Sequence, residues 1–258
     1  MGCRLDKARD WSTRLSHEAS LHEANSFLTL TFATEHLPED HSVHVRDVQL
    51  FMKRLRKAVG RVRFFACGEY GDQGGRPHYH ILVFGHDFPD KMPWRKTGSG
   101  YIVYRSAALE KLWPYGHAEI GTVTVQSAGY VARYITKKVT GEAAEGHYTA
   151  LHPDDGQPFK RRPEFIVMST RPGIGAGWYD QFKDDAFPSD FVVIEGRKTP
   201  VPRYYKKKLT EPEARKVTAQ RKENAALHAD NNTTTRLLTR EESQRLRAER
   251  LVRNLEIE

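Results

Sequence analysis

The sequence predicts an α+β protein: one antiparallel sheet flanked by helices, with a C-terminal extension. Three observations carry this. Short alternating apolar runs recur between residues 25 and 125, helical apolar spacings stand between them, and a glycine-dense link joins two of the runs closely enough to form a hairpin.

Residues 4–24 read as a helix with Leu5, Ala8, Trp11, Leu15, Ala19 and His22 near one face. Residues 26–32 alternate, with Leu28, Leu30 and Phe32 on one side and Thr29 and Thr31 on the other, which is a strand. Val45, Val48, Phe51, Met52, Leu55 and Val59 recur at helical spacing, and Gly60 stands where a C-cap glycine belongs. The opposite face of that helix carries Lys53, Arg54, Arg56 and Lys57. Residues 61–69 and 78–84 are two further strands, and the turn-rich link over 70–77 pairs them as a hairpin. A basic and aromatic insertion follows, with Trp94, Arg95, Lys96, Tyr101, Tyr104 and Arg105. A short helix over 107–113 ends before Pro114, residues 117–125 form a fourth strand, and Ser127 caps a helix from Ala128 to about Val139. The order strand, helix, strand, strand, helix, strand, helix is related to the split βαβ plan.

Past residue 160 the pattern weakens into Pro- and Gly-rich loops, and from Thr210 the chain is charged or polar with no aromatic residue. Either an exposed helix pair or disorder fits that tail. Four segments result: a helical segment over 1–24, a core over 25–145, an accessory segment over 146–209 and a tail over 210–258.

The 258 residues carry a net charge of +8, which points to a polyanionic partner such as nucleic acid. Two cysteines, Cys3 and Cys67, make no disulfide framework and suit a reducing compartment. No run is long and apolar enough for a membrane span, and residues 1–12 lack a signal-peptide hydrophobic region, so a soluble intracellular protein without a membrane partner is expected. A phosphate-cradling G-x-x-x-x-G-K-[ST] loop is absent, which argues against an ATP-driven motor.

His78 and His80 are two apart on a strand and therefore share a face, while Tyr79 points away. The hairpin brings Glu69 opposite one of them. Two imidazoles and a carboxylate form a three-donor site with open positions, suited to Mn²⁺, Mg²⁺, Co²⁺ or Zn²⁺. A cupin would place a glutamate a few residues downstream, where this chain is apolar through Phe84. Tyr130 and Tyr134 lie at i and i+4 on one helix face, beside a separate apolar stripe of Val131, Ile135 and Val139. Lys137 and Lys138 follow. Phenols beside a cation site are suited to attack on phosphorus, because the cation favours the phenolate and stabilises the charge that develops. Lys137 is placed to position the phosphate or assist proton transfer. The product would be a tyrosine joined to a DNA 5′-phosphate, with a free 3′-hydroxyl.

These residues resemble the HUH endonucleases, named for two histidines around a bulky hydrophobic residue, here His78-Tyr79-His80. The strand–histidine–tyrosine order is similar to rolling-circle initiators and unlike relaxases, whose tyrosine comes first. The stretches FMKRLRK (51–57), CGEYGDQGGRPHYH (67–80), LEKLWPYG (109–116), YVARYITKKV (130–139), RPGIGAGWY (171–179) and PRYYKKKL (202–209) resemble the replication initiators of microviruses, the gokushovirus group in particular. The resemblance implies metal ligation by Glu69, His78 and His80, with Mg²⁺ or Mn²⁺ expected. It implies paired nucleophiles in Tyr130 and Tyr134, with Lys137 as the lysine of the tyrosine motif. It also implies nicking of the viral plus strand at its origin, priming of host polymerase by the 3′-hydroxyl behind a host helicase, and closure of the displaced strand into a circle. The setting would be the cytoplasm of an infected bacterium. Single-stranded origin DNA would be held by Lys53, Arg54, Arg56, Lys57, Arg76, Arg133, Lys138, Lys206, Lys207 and Lys208. Two rival readings are a non-catalytic single-strand-binding module and an HUH transposase, the latter disfavoured by the paired tyrosines and the long extension.

Overall fold

The computed structural model describes residues 2–71, 75–134, 139, 141–151, 156–187 and 189–249. Its centre is a seven-stranded antiparallel sheet. The chain enters through helix α1 (Gly2–Ala19), then runs β1 (Asn25–Thr31), α2 (Val45–Val59), β2 (Arg63–Tyr70) and β3 (Pro77–Phe84). The predicted insertion is itself a pair of strands, β4 (Met92–Lys96) and β5 (Ile102–Arg105), followed by α3 (Ala107–Leu112), β6 (Ala118–Gly121) and α4 (Val125–Arg133). Beyond these come α5 (Ala143–Tyr148), a small hairpin of β7 (Thr149–Leu151) and β8 (Pro158–Lys160), and β9 (Phe165–Met168). The described chain continues with α6 (Ala176–Ala186), a second hairpin of β10 (Phe191–Ile194) and β11 (Arg197–Pro200), then α7 (Arg203–Lys206), α8 (Glu211–Leu227) and α9 (Thr234–Glu249).

The sheet order is β4-β5-β6-β1-β3-β2-β9. The hairpin of β2 and β3 pairs Glu69 with His78 and Cys67 with His80. Strand β1 lies on the other side of β3 and pairs Thr29 with His80 and Thr31 with His78. It also pairs Thr29 with Glu119 of β6. Cross-strand partners share a face, so Glu119, Thr29, His80 and Cys67 form one row, and Thr31, His78 and Glu69 the row beside it.

The period of two divides the core between the two faces. On one, Leu28, Leu30, Tyr79, Ile81 and Val83 meet Val48, Phe51, Met52 and Leu55 of α2, with Leu109 and Trp113 beside them. Tyr79 is the residue between the two histidines, and it anchors this side: its hydroxyl donates to Asp47 Oδ2 at 2.6 Å and accepts from the His44 amide at 3.0 Å. On the other face, Phe27, Phe65, Leu82 and Phe84 meet Leu15 of α1 and Ala128, Tyr130, Val131 and Ala132 of α4. Gly60 has φ 87° and closes α2 as its C-cap.

Three local expectations are corrected. Helix α4 begins at Val125, because Thr124 is the N-cap and Ser127 sits at the third helical position, completing a reciprocal capping box. The fourth strand ends at Gly121, since residues 122–124 turn into that cap. The stretch after residue 160 is more ordered than a run of loops: β9 pairs with β2, placing Phe65 opposite Met168 and Gly68 opposite Phe165. Gly68 has no room for a β-carbon, which would lie 2.6 Å from the Phe165 ring.

The accessory segment clamps α1. Glu18, buried on α1, accepts from Arg63 of β2 and from the Gly175 amide at 2.6 Å. Arg14 donates to the Ile174 carbonyl at 3.0 Å and lies over the rings of Trp11 and Tyr204. His17 stacks on Trp178 at 3.6 Å and meets the Tyr205 hydroxyl at 3.0 Å. The tail is a helix pair, α8 and α9, almost wholly exposed. Among the described residues no helix is long and apolar enough to cross a membrane.

Candidate active site

The site lies on the α4 side of the sheet. Strand β3 presents His78 and His80, β2 presents Glu69, and α4 lays Tyr130 and its C-cap residue Tyr134 over them. Glu69, His80, Tyr130 and Tyr134 are 4%, 3%, 2% and 4% exposed, so their polar atoms answer chiefly to one another. Sequence spacing suggested tyrosines left outside the core. Instead Tyr130, Val131 and Tyr134 are all buried, because the tyrosine side of α4 faces the sheet while Gly129 faces Ser12 of α1. Ile135, which belonged to the expected apolar stripe, lies outside the described residues, as do Lys137 and Lys138.

A continuous polar chain runs through this interior. The hydroxyls of Tyr130 and Tyr134 are hydrogen-bonded to each other, and that of Tyr134 also meets the Glu69 carboxylate. His80 Nε2 donates to Glu69 Oε1 at 2.6 Å, and its Nδ1 lies 3.1 Å from Thr29 Oγ1. The rings are packed accordingly: His80 is stacked with Tyr134 at 5.6 Å and edge-on to Tyr130 at 5.4 Å. Burial, followed by the negative charge of Glu69, raises the pKa of Tyr134 far above the ordinary phenol value. A phenolate is therefore strongly disfavoured there unless positive charge is brought to it.

His78 lies at the mouth of the cluster, its ring centre 6.4 Å from that of His80. Its Nδ1–H donates to the Arg76 carbonyl at 2.6 Å, which leaves the Nε2 lone pair available. Burial lowers the pKa of His78 and favours the neutral, metal-competent imidazole.

Two imidazoles and a carboxylate are donor types that a divalent ion takes. Each imidazole has its Nδ1 tied to an outer partner, as metal-binding histidines do. Among the described residues no three histidine, cysteine or carboxylate side chains meet at one point. Glu69 and His80 are already joined by a hydrogen bond, while the ring of His78 stands 6.4 Å from that of His80. Ligation by His80 requires loss of the Nε2 proton and a shift to the other tautomer. Thr29 suits either form, since its hydroxyl donates to a bare Nδ1 and accepts from a protonated one.

Next to His78 a cleft of about 600 Å³ opens along the sheet, bordered by Thr29, Thr31, Arg76, Arg95, His117 and Glu119. Arg76 lies in its wall with its guanidinium held by the Phe32 carbonyl at 2.8 Å and Thr34 Oγ1 at 3.2 Å. Arg133 lies 5.8 Å over the Tyr130 ring. The other expected DNA contacts lie elsewhere. Helix α2 is on the opposite side of the sheet, where Lys53 and Lys57 are exposed, Arg54 donates to the Leu112 carbonyl at 2.8 Å and Arg56 to that of Val62 at 3.2 Å. Lys206 pairs with Asp190 at 3.6 Å and Lys208 with Asp180 at 2.6 Å, while Lys207 is exposed.

Sequence reading did not single out Thr29, Arg95, His117 or Glu119 as site residues. Thr29 carries a signal, being polar on a strand and opposite in parity to Leu28 and Leu30. Glu119 carries none without the strand order, because only the β6–β1 pairing sets it in the row of His80.

The family model for replication-associated protein ORF2/G2P matches residues 25–139. The chain is 35% identical to the replication-associated protein VP4 of Bdellovibrio phage phiMH2K, over 79% of this chain and 63% of that protein. It is 31% identical to the replication-associated protein ORF2 of Spiroplasma virus 4, over 81% of this chain and 65% of that protein. With the replication-associated protein ORF4 of Chlamydia phage 1 it shares 28% identity, over 79% of this chain and 50% of that protein. The chain thus spans less than two thirds of the length of these relatives. No solved structure matches it.

Proposed function

We propose that this chain is a replication-associated protein of the microvirus type, like the phage proteins it is similar to, and that it starts rolling-circle replication by nicking the plus-strand origin through a tyrosine. One observation carries the proposal: the hydroxyls of Tyr130 and Tyr134 are bonded to each other within the cluster that contains Glu69 and His80. A purely structural tyrosine pair needs no such neighbours.

In the proposed reaction, one tyrosine oxygen forms a bond to the scissile phosphorus as the bond from phosphorus to the 3′-oxygen breaks. The 5′ end stays on the enzyme as a phosphotyrosine ester. The phenolic proton leaves through the carboxylate and imidazole chain, and the departing 3′-oxygen is protonated to the hydroxyl that primes synthesis. The second tyrosine takes the next 5′ end by the same exchange, and the released 3′-hydroxyl closes the displaced strand by attacking the first phosphotyrosine, whose bond from phosphorus to the tyrosine oxygen breaks and whose phenol regains a proton. Glu69, His78 and His80 would hold a divalent ion, Mg²⁺ or Mn²⁺, whose charge when bound would favour the phenolate and offset the charge developing on the phosphate. The chain's own groups do the rest. Thr29 and the Arg76 carbonyl orient the imidazoles, α4 holds the two phenols at matched depth, and the packed interior excludes water that would hydrolyse the ester. Lys137 is proposed to position the phosphate. Single-stranded origin DNA, a host helicase and a host polymerase are the proposed partners, in the cytoplasm of the infected bacterium.

The test is a covalent one. With a labelled single-stranded origin oligonucleotide and Mn²⁺ or Mg²⁺, an SDS-resistant protein–DNA adduct is expected; chelation should abolish it. Either single substitution, Tyr130→Phe or Tyr134→Phe, should leave one nucleophile, and the double substitution none. An adduct surviving in the double variant would sink the proposal. DNA binding without any adduct would leave a single-strand-binding module in its place.

A further inference from the structure

We propose that Arg95 and Glu119 read a nucleobase next to the scissile phosphate, making the β4–β5 hairpin the sequence-selecting wall of the cleft. The inference rests on the endonuclease reading and adds the residues that select the DNA. Four observations carry it.

Position is the first. Glu119 stands in the same cross-strand row as His80, separated from it by Thr29 alone. Two inter-strand steps amount to about 10 Å, which places Glu119 within reach of a nucleotide neighbouring one bound at the histidines. The second is chemistry. Arg95 donates to Glu119 twice, Nε to Oε1 at 3.2 Å and Nη2 to Oε2 at 3.0 Å. The two side chains are 24% and 15% exposed, so this forked pair is fixed at the cleft rather than waving in solvent. Its charges cancel locally. It is therefore a poor general anchor for phosphate, yet it presents guanidinium N–H groups beside carboxylate lone pairs, the kind of pattern that tells base edges apart.

The third observation is the strand itself. The register of β4 against β5 shifts between Pro93 and Arg95, which makes Trp94 the extra residue of a bulge. Bulges re-aim side chains near sites, and Trp94 is left 58% exposed with the Arg105 guanidinium 4.9 Å from its ring centre. The fourth is the far side of the pair. There an apolar recess bordered by Phe27, Tyr101, Val103 and Gly121 shares Thr29 and Glu119 with the polar cleft. Tyr101 is 41% exposed and offers a ring for a base to stack on. The guanidinium of Arg76, which also borders the cleft, is already held by Phe32 and Thr34.

The experiment offers the full chain a single-stranded oligonucleotide pool randomised around a cleavable origin segment, with Mn²⁺. Adducts are recovered on denaturing gels and their DNA is sequenced. The wild-type protein is expected to select a base at one or two positions beside the cut. Glu119→Gln and Arg95→Gln should each flatten that selection by about tenfold at those positions while preference elsewhere is kept. Exchange of the two residues (Arg95→Glu with Glu119→Arg) keeps an ion pair, and should change which base is chosen. A uniform loss of adduct across all sequences, with the wild-type preference intact, would make the pair structural and overturn the inference while leaving the endonuclease reading standing. If the wild-type chain forms no adduct with any sequence, the endonuclease reading fails and this inference falls with it.

Discussion

Thr29 holds His80 through a hydroxyl that serves both tautomers, and this makes it a sharper probe of the cluster than the ligands themselves. Thr29→Val keeps the shape of the side chain and removes the hydroxyl. We expect the concentration of Mn²⁺ needed for half-maximal adduct yield to rise about tenfold, the usual cost of losing an outer partner of a metal-bound histidine. An unchanged Mn²⁺ titration would show that His80 is oriented by packing alone. His17 gives a pH prediction of a different kind. Burial between Trp178 and Tyr205 lowers its pKa to about 4, so it stays neutral in the native state while the unfolded chain takes up a proton near the ordinary 6.5. Its contribution is complete above that value and is lost as pH falls from about 6.5 to about 4, by at most about 3 kcal/mol. Urea midpoints at pH 7.5 and pH 5 should therefore differ less in His17→Gln than in the parent chain. At this scale much was legible. The two-residue spacing put His78 and His80 on one face, and the tight link brought Glu69 opposite one of them, which the register shows to be His78. Thr29 was on view as a polar strand residue, but its partner was not, because the neighbour of β3 across the sheet is set by tertiary pairing.

Helix α1 shows how an element far from the chemistry is committed to it. It packs on α4, and its buried Glu18 ties it at once to β2 and to the loop that begins α6. Glu18→Ala leaves Arg63 partly buried without its carboxylate and the Gly175 amide without its acceptor, a loss of about 3 kcal/mol in denaturant melts. A change of less than about 1 kcal/mol would mean that the loop carries α1 without the carboxylate. The stretches RPGIGAGWY and PRYYKKKL are explained at this level. Ile174, Gly175, Trp178, Tyr204 and Tyr205 all contact α1, so these motifs brace the cover of the tyrosine helix. Elements were legible where the periodicity ran long, as in α2 with its apolar stripe and terminal Gly60. They were missed where strands were short. Strands β4 and β5 flank a Gly-Ser-Gly turn and expose Met92 and Trp94, and β9 has four residues between loops, so none shows enough alternation to separate strand from coil.

Across the whole molecule, the sheet has one edge built from the middle of the sequence and one built late. Strand β4 guards its own edge with Pro93 and a bulge, whereas β2 is covered only when β9 pairs with it. A chain cut at residue 145 keeps every residue of the proposed site outside the accessory segment and loses that cover. We expect it to aggregate, while a chain cut at residue 209 stays monodisperse by light scattering; equal behaviour of the two would show that β9 is dispensable. The same pairing sets a timetable in the cell. Ribosomes add about 5–20 residues per second, so the edge of β2 emerges roughly 5–20 s before β9 can be made. During that interval the nascent protein carries an open, apolar strand, and it is then that a chaperone, or a second nascent copy, meets it.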